Sequence, residues 1–358
     1  MKVLIAAGGT GGHIVPGLSL ADVLMKTKPE SEIVFFGSSN RMEATVIPEA
    51  GYRFYGVKMS GMTSGIKAKI KSALSLIKAG STCRKVIREQ KPDIVVGFGN
   101  YISVPIVSEA KRAGIPVMLH EQNSFAGKAN RFLASKADAI VCCYESNLTQ
   151  FPADKCRVYG NPAATTAAET AFDKAEVEQM GLDPEKPFVV FMMGSLGSAS
   201  VSEIIDEACS LFDDDFQVII AEGKDNDYTF RTQSKGQIRI VPFVSGRSML
   251  KGCTLAVTRA GATTMAEIGA LGTPAILIPS PNVANNHQVY NAKELSDIGG
   301  AVMIEERDLD AKILAETVNS LMKDEARRNS MKEAALKAGK SDAAYRMIEL
   351  MEELIPHE

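Results

Sequence analysis

Long apolar runs are missing from this chain of 358 residues. No stretch reaches the ~18–20 residues that a membrane-spanning helix needs. The first apolar run, Val3 to Ala7, gives way to glycines. It does not have the form of a signal peptide, so a cytoplasmic protein is expected. Charge of one sign is missing too. Lys and Arg number 40 against 43 Asp and Glu, a net charge of −3. That balance gives no reason to expect a nucleic-acid partner, and any basic patch must be local. Cysteine is sparse and scattered: Cys142 and Cys143 are adjacent, while Cys83, Cys156, Cys209 and Cys253 stand apart. With no C-x-x-C pair and no Cys/His cluster, the thiols read as buried side chains rather than metal ligands or disulfides. No metal and no cofactor is expected.

Apolar residues at 45% and charged residues at 23% are ordinary for a folded soluble chain. The length favours two domains. Short apolar runs alternate with helical patterns. Strands are expected at Lys2–Ala7, Glu32–Gly37, Ile94–Gly97, Val117–His120 and Ala139–Cys142, and a helix at Val15–Met25. This is the pattern of βαβ units and a parallel sheet. Residues 161–187, rich in Ala, Thr, Glu and Pro, read as a linker with one short helix. The pattern then restarts at Phe188–Met192 and continues through Val218–Ala221, Ile238–Val241, Leu255–Thr258 and Ala275–Ile278. Each half opens with strand, glycine-rich turn and helix. A terminal amphipathic helix is expected over Asp342–Ile355. Ala344, Ile348, Met351 and Ile355 share one face, and Ser341 is placed to cap it.

Three turns carry candidate chemistry. Gly8-Gly9-Thr10-Gly11-Gly12-His13 follows the first strand. Glycine allows positive φ and close approach, and Pro16 places the helix start near residue 14. Free N–H groups at a helix N-terminus make an anion site. A Walker A loop is excluded by the lack of Gly-Lys-Ser/Thr. The dinucleotide fingerprint fails because Ile14 stands where its third glycine belongs, and no acid ends the second strand. The second turn, Thr258-Arg-Ala-Gly-Ala-Thr-Thr-Met-Ala-Glu267, offers N–H groups and hydroxyls from Gly261 to Thr264 to a diphosphate. Glu267 lies on the same helix face as Thr263, where a carboxylate can accept from a diol such as a ribose. The third, Asn285 to Ala292, clusters amides and His287, donors and acceptors suited to sugar hydroxyls. A tight turn without ligand, a solvated glutamate and a solvated Asn-rich loop are the corresponding bland alternatives.

Four segments, GGTGGHIVPGLSLAD, LHEQNSFAGKANR, YGNP and TRAGATTMAEIGALGTPAILIPSPNVANNHQVYNA, occur in order and at characteristic spacings. Together they resemble the MurG family of cell-wall glycosyltransferases, from Lys2 to about Ala301. The resemblance implies a GT-B fold: two Rossmann-like α/β domains facing across a cleft, with a C-terminal helix crossing back to the first. It implies domains at 1–160 (acceptor and membrane side) and 161–340 (UDP-sugar binding), with 341–358 as the returning helix. It also implies inverting transfer of N-acetylglucosamine from UDP-N-acetylglucosamine to the 4-hydroxyl of undecaprenyl-diphospho-N-acetylmuramoyl-pentapeptide, at the cytoplasmic face of the membrane. By this similarity Thr10, Gly11 and Gly12 lie near donor sugar and acceptor, and His13 is a candidate base. Asn123 contacts the donor sugar, Ser195 the diphosphate, and Val244 the uracil. Ala262, Thr263 and Thr264 meet the diphosphate, Glu267 the ribose and Gln288 the sugar hydroxyls. Inversion needs a base for the attacking hydroxyl and donors for the charge on the departing UDP.

Three positions depart from the family pattern. Ala163-Ala164 follow Asn161-Pro162 where an arginine is usual, Leu196 replaces an amide in Met193-Gly-Ser-Leu-Gly-Ser198, and Asn100 replaces a glycine. Residues 65–78 hold a basic amphipathic pattern. Ile66, Ile70, Ala73 and Ile77 form a stripe edged by Lys67, Lys71 and Lys78, suited to an anionic membrane surface or to ordinary packing on a sheet. A UDP-N-acetylglucosamine 2-epimerase of the same fold and a non-catalytic nucleotide-sugar binder are the competing functions at this point.

Overall fold

Runs of Val, Ile, Leu and Phe without helical period form strands covered on both faces, the habit of parallel sheets. A computed structural model of the chain describes residues 1–59, 79–194, 198–223 and 227–356. Its first sheet holds β1 (Lys2–Ala6), β2 (Glu32–Ser38), β3 (Arg53–Val57), β4 (Ile94–Gly97), β5 (Val117–Glu121), β6 (Ala139–Cys142) and β7 (Cys156–Val158). All pairings are parallel, in the order β3-β2-β1-β4-β5-β6-β7. The second sheet holds β8 (Phe188–Met192), β9 (Gln217–Ala221), β10 (Ile238–Val241), β11 (Leu255–Thr258), β12 (Ala275–Leu277) and β13 (Val302–Met303). Its order is β10-β9-β8-β11-β12-β13, again all parallel. In each sheet the chain winds outward one way and then the other, so a topological switch point falls between β1 and β4 and between β8 and β11. Such points are where open α/β sheets bind ligands, at the carboxyl ends of the strands.

The chain divides into two compact units, residues 1–166 with 341–358, and residues 167–340. The last helix, Ala343–Leu354, belongs to the first. Its Ala344, Met347, Ile348 and Met351 are buried in the same cluster as Leu20, Val23 and Leu24 of the helix Gly11–Thr27. Ser341 does not cap it. The cap residue is Asp342, which makes no capping bond; instead Thr165 Oγ1 accepts from the Ala344 N–H at 3.0 Å.

Other details differ from expectation. The first helix begins at Gly11, three residues early, with Gly12 and His13 inside its first turn. Pro16 therefore sits in the helix interior and has no N–H to offer the Gly12 carbonyl. Residues 161–187 carry two helices, Pro162–Glu169 and Lys174–Gln179, rather than one. The edge strands β3, β7 and β13 were not expected. Each is short and pairs on one side alone, so its residues lack the continuous burial that marks the central strands.

Candidate active site

The glycine turn after β1 is held from below by a buried carboxylate. Glu43, wholly buried, accepts from the Gly9 N–H at 3.0 Å and from the Ser38 N–H at 2.9 Å. Gly9 has φ +88°, and a Cβ there would collide with the Asn100 amide, so the position admits only glycine. Asn100 is itself left-handed at φ 65°, which explains both the usual glycine and the tolerance of asparagine. Its amide nitrogen donates to the Gly8 carbonyl at 3.2 Å. The β1 and β4 turns are thus fastened together at the first switch point. No side chain caps the helix that starts at Gly11, and Thr10 and Gly12 are exposed. Thr10 Oγ1 lies 2.9 Å from His13 Nδ1. When Nδ1 carries the proton and donates it to Thr10, Nε2 holds the imidazole lone pair.

The segment His120-Glu121-Gln122-Asn123 leaves the carboxyl end of β5. His120 is wholly buried; its Nε2 lies 3.0 Å from the Gly160 carbonyl, and Phe98 lies against the ring. Burial pushes its pKa down to about 4, with a smaller contribution from the charge of His13. His120 is therefore a neutral imidazole that donates from Nε2. Glu121, also buried, accepts from the Gly127 N–H and the Asn130 amide at 2.9 Å each, and from the Asn123 N–H at 3.1 Å. Burial raises its pKa against these bonds. The carboxylate draws the loop 123–130 around itself and fixes Asn123, whose carbonyl also accepts from Asn147 at 3.0 Å.

YGNP has a local explanation. Gly160 is left-handed at φ +90°, the Asn161 side chain accepts from the Ala163 N–H at 3.0 Å, and Pro162 starts a helix. Ala163 and Ala164 are buried, so the alanines that replace the usual arginine are core residues here.

In the second unit the helix Ala262–Leu271 opens at the switch point after β11. Gly261 precedes it in an extended conformation, and no side chain caps the first turn. The N–H groups of Ala262, Thr263 and Thr264 belong to that turn, and the buried Thr263 Oγ1 has no hydrogen-bond partner among the described residues. One turn on, Glu267 is 8% exposed and pairs with Arg247, Nε to Oε1, at 2.8 Å. Burial raises the Glu267 pKa and the Arg247 charge opposes this. Val244 is buried just ahead of Arg247, and the Ser245 N–H is anchored on Glu176 at 2.7 Å. Arg259 bonds the Ile278 carbonyl at 3.1 Å, Glu306 at 2.7 Å and Ser198 Oγ at 2.5 Å.

The Asn-rich turn has a conformational reason. Asn285 and Asn286 are left-handed, at φ 54° and 52°, and deliver the chain into the helix His287–Ser296. Gln288 Oε1 accepts from the Ser280 N–H at 2.9 Å. That bond uses the carbonyl side of the amide, and the two remaining donors are on Nε2. Beside it lies a cavity of about 340 Å³ lined in part by Asn286, Val289, Glu306 and Arg307. The buried Asn291 donates to the Ala260 carbonyl at 3.3 Å and ties this helix to the β11 turn.

Within the first unit the structure gathers Thr10, Gly11, Gly12 and His13 on one turn and fixes Asn123 on the β5 loop. Within the second it gathers Ala262, Thr263, Thr264 and Glu267 on one helix, with Val244 on the loop after β10 and Gln288 in the first turn of the helix His287–Ser296. Ser195, Leu196 and the basic segment 65–78 lie outside the described residues. Sequence reasoning missed Glu43 and Arg247, and it gave no role to Asn100, Arg259 or Asn291. Each acts on a partner at least 19 residues away, apart from the bonds of Asn100 and Glu43 to their own turns, and no local pattern marks such pairs. Among the described residues no His, Cys, Asp and Glu group is arranged to hold a metal, and no helix is long and apolar enough to cross a membrane.

Residues 3–142 match the glycosyltransferase family 28 N-terminal domain and residues 188–347 the family's C-terminal domain. A Bacillus cereus relative named UDP-N-acetylglucosamine–N-acetylmuramyl-(pentapeptide) pyrophosphoryl-undecaprenol N-acetylglucosamine transferase 1 is 36% identical, with 99% of this chain and 100% of the relative covered. Relatives of the same transferase name from Listeria monocytogenes and Leuconostoc mesenteroides are 36% and 37% identical, each with 98% of both chains covered. Among solved structures, Acinetobacter baumannii MurG superposes with a TM-score of 0.76 at 24% identity, covering 98% of this chain and 99% of that one. The calicheamicin glycosyltransferase CalG4 superposes at 0.69 and 15% identity, covering 99% of each. At these identities the superpositions carry the fold alone.

Proposed function

The chain belongs to glycosyltransferase family 28, and on that footing we propose that it moves N-acetylglucosamine from UDP-N-acetylglucosamine to a lipid-linked muramoyl-pentapeptide. The bond formed is β-1,4 to the muramoyl 4-hydroxyl, with inversion at the sugar carbon, and the product is the lipid-linked disaccharide of peptidoglycan synthesis. The observation that carries this reading is the uncapped start of the helix Ala262–Leu271, with Glu267 one turn further along the same helix. A diphosphate on the N–H groups of Ala262 to Thr264 leaves a ribose within reach of a carboxylate.

The roles follow from the chemistry. Departure of UDP adds negative charge to the diphosphate, and N–H groups already oriented toward it stabilise that charge without reorganisation. Ser195 joins them, Val244 packs on the uracil, Glu267 accepts from the ribose hydroxyls, and Gln288 Nε2 donates to the sugar. In residues 1–160 Thr10, Gly11 and Gly12 receive the reacting groups and Asn123 orients the sugar. His13 Nε2 takes the proton of the muramoyl hydroxyl, with Nδ1–H donated to Thr10. Residues 161–340 serve the donor, and 341–358 complete the acceptor-side unit. The acceptor's polyprenyl tail calls for peripheral attachment to the cytoplasmic membrane face, with Lys67, Lys71 and Lys78 facing anionic lipid. No nucleic acid takes part.

Glu267→Ala tests the donor side. Donor KM is expected to rise with kcat/KM falling at least about tenfold, the loss of one hydrogen-bonded charge. A change in kcat/KM within about twofold, ~0.4 kcal/mol, contradicts the ribose role.

A further inference from the structure

Arg247 lies in the first turn of the helix Gly246–Gly252 that follows β10, twenty residues before its partner Glu267, and nothing in the glycine motifs points to it. The ion pair is anchored at both ends. On the arginine side the Ser245 N–H is held by Glu176 at 2.7 Å, Ser248 Oγ accepts from the Asp173 N–H at 2.9 Å, and Met249 and Leu250 are buried. On the other side the helix Ala262–Leu271 carries Glu267 with its side chain 11% exposed. A lone carboxylate so enclosed favours its neutral form, and the adjacent guanidinium reverses part of that cost. A buried pair of this kind adds little net stability over apolar packing. It does restrict where the carboxylate points. The bond uses Nε against Oε1, and a carboxylate offers about four lone-pair positions over two oxygens, enough to hold an arginine and a diol together.

We propose that Arg247 is the positioning residue for nucleotide selection: it holds the Glu267 side chain aimed so that the carboxylate recognises the vicinal hydroxyls of a ribonucleoside diphosphate. The proposal rests on the ribose reading of Glu267 and adds to it the residue that makes that recognition work. Arg247 acts through Glu267 and carries no contact to the reacting atoms.

The test is calorimetric binding of UDP and of 2′,3′-dideoxy-UDP to the full chain and to its Arg247→Met, Arg247→Lys and Glu267→Ala variants. The readout is the ratio of the two affinities, which a partly unfolded sample leaves unchanged. Arg247→Met is expected to weaken UDP about tenfold, the size of a hydrogen bond to a charged group, and dideoxy-UDP by less than about twofold. Arg247→Lys is expected to restore most of the ratio. In turnover, Arg247→Met is expected to raise donor KM and leave kcat within about twofold. If Arg247→Met weakens both nucleotides equally, or neither, while Glu267→Ala loses the wild-type ratio, the role of Arg247 is refuted and the ribose reading stands. If Glu267→Ala itself keeps the wild-type ratio, the ribose reading falls and this proposal with it.

Discussion

His120 and Glu121 are adjacent in sequence, both buried, and burial drives their proton equilibria in opposite directions. The sign of the stability effect follows. His120 has a folded pKa of about 4 against an ordinary 6.5, so the unfolded chain takes up the proton first. Its contribution is intact above pH 6.5, is lost as pH falls, and stops changing below about 4. At pH 5 the loss is about 2 kcal/mol. Glu121, with a raised pKa, works the other way, so the total curve mixes both. The difference between wild type and His120→Gln, whose amide can still donate to the Gly160 carbonyl, isolates the histidine. The wild-type advantage in urea midpoint is expected to shrink between pH 7.5 and 5; a constant difference contradicts a buried neutral imidazole. Neither residue's role is written in HEQN. The motif marks a special loop, and only the fold shows that the glutamate is its hub and the histidine its floor. Arg247 is less legible still: an ion pair across twenty residues leaves no trace in periodicity or spacing.

At the scale of elements, the central strands were legible because burial on both faces writes a continuous apolar run. Ile94–Gly97, Ala139–Cys142, Phe188–Met192 and Leu255–Thr258 lie where those runs place them. The start of the first helix was misplaced because its opening turn is built of Gly11 and Gly12, poor helix formers that read as loop. The same helix N-terminus carries no side-chain cap. The terminal helix was legible as an amphipathic face, while its cap was not, since the bond that ends it comes from Thr165. The basic stripe at 65–78 belongs to this scale as well. Each lysine near an anionic surface contributes about 1 kcal/mol, so removing Lys67, Lys71 and Lys78 together is expected to reduce co-sedimentation with phosphatidylglycerol vesicles by an order of magnitude or more. Unchanged co-sedimentation contradicts the surface-helix reading.

For the molecule as a whole, one plan is used twice. Each unit is a doubly wound parallel sheet whose switch point carries a glycine-bearing turn and a helix N-terminus without a side-chain cap. The first unit is discontinuous in sequence and depends on the last eighteen residues. Met347, wholly buried in that unit's core, reports this dependence. Met347→Ala is expected to cost about 2–5 kcal/mol in urea unfolding. A loss below about 1 kcal/mol contradicts a core role for the returning helix.

Purified enzyme supplied with UDP-N-acetylglucosamine and a soluble muramoyl-pentapeptide diphosphate analogue tests the transferase most directly, with UDP and the sugar product measured together. One UDP is expected for each β-1,4-linked disaccharide, and neither without the acceptor. UDP released at the same rate without acceptor, or donor converted to its 2-epimer, contradicts the account.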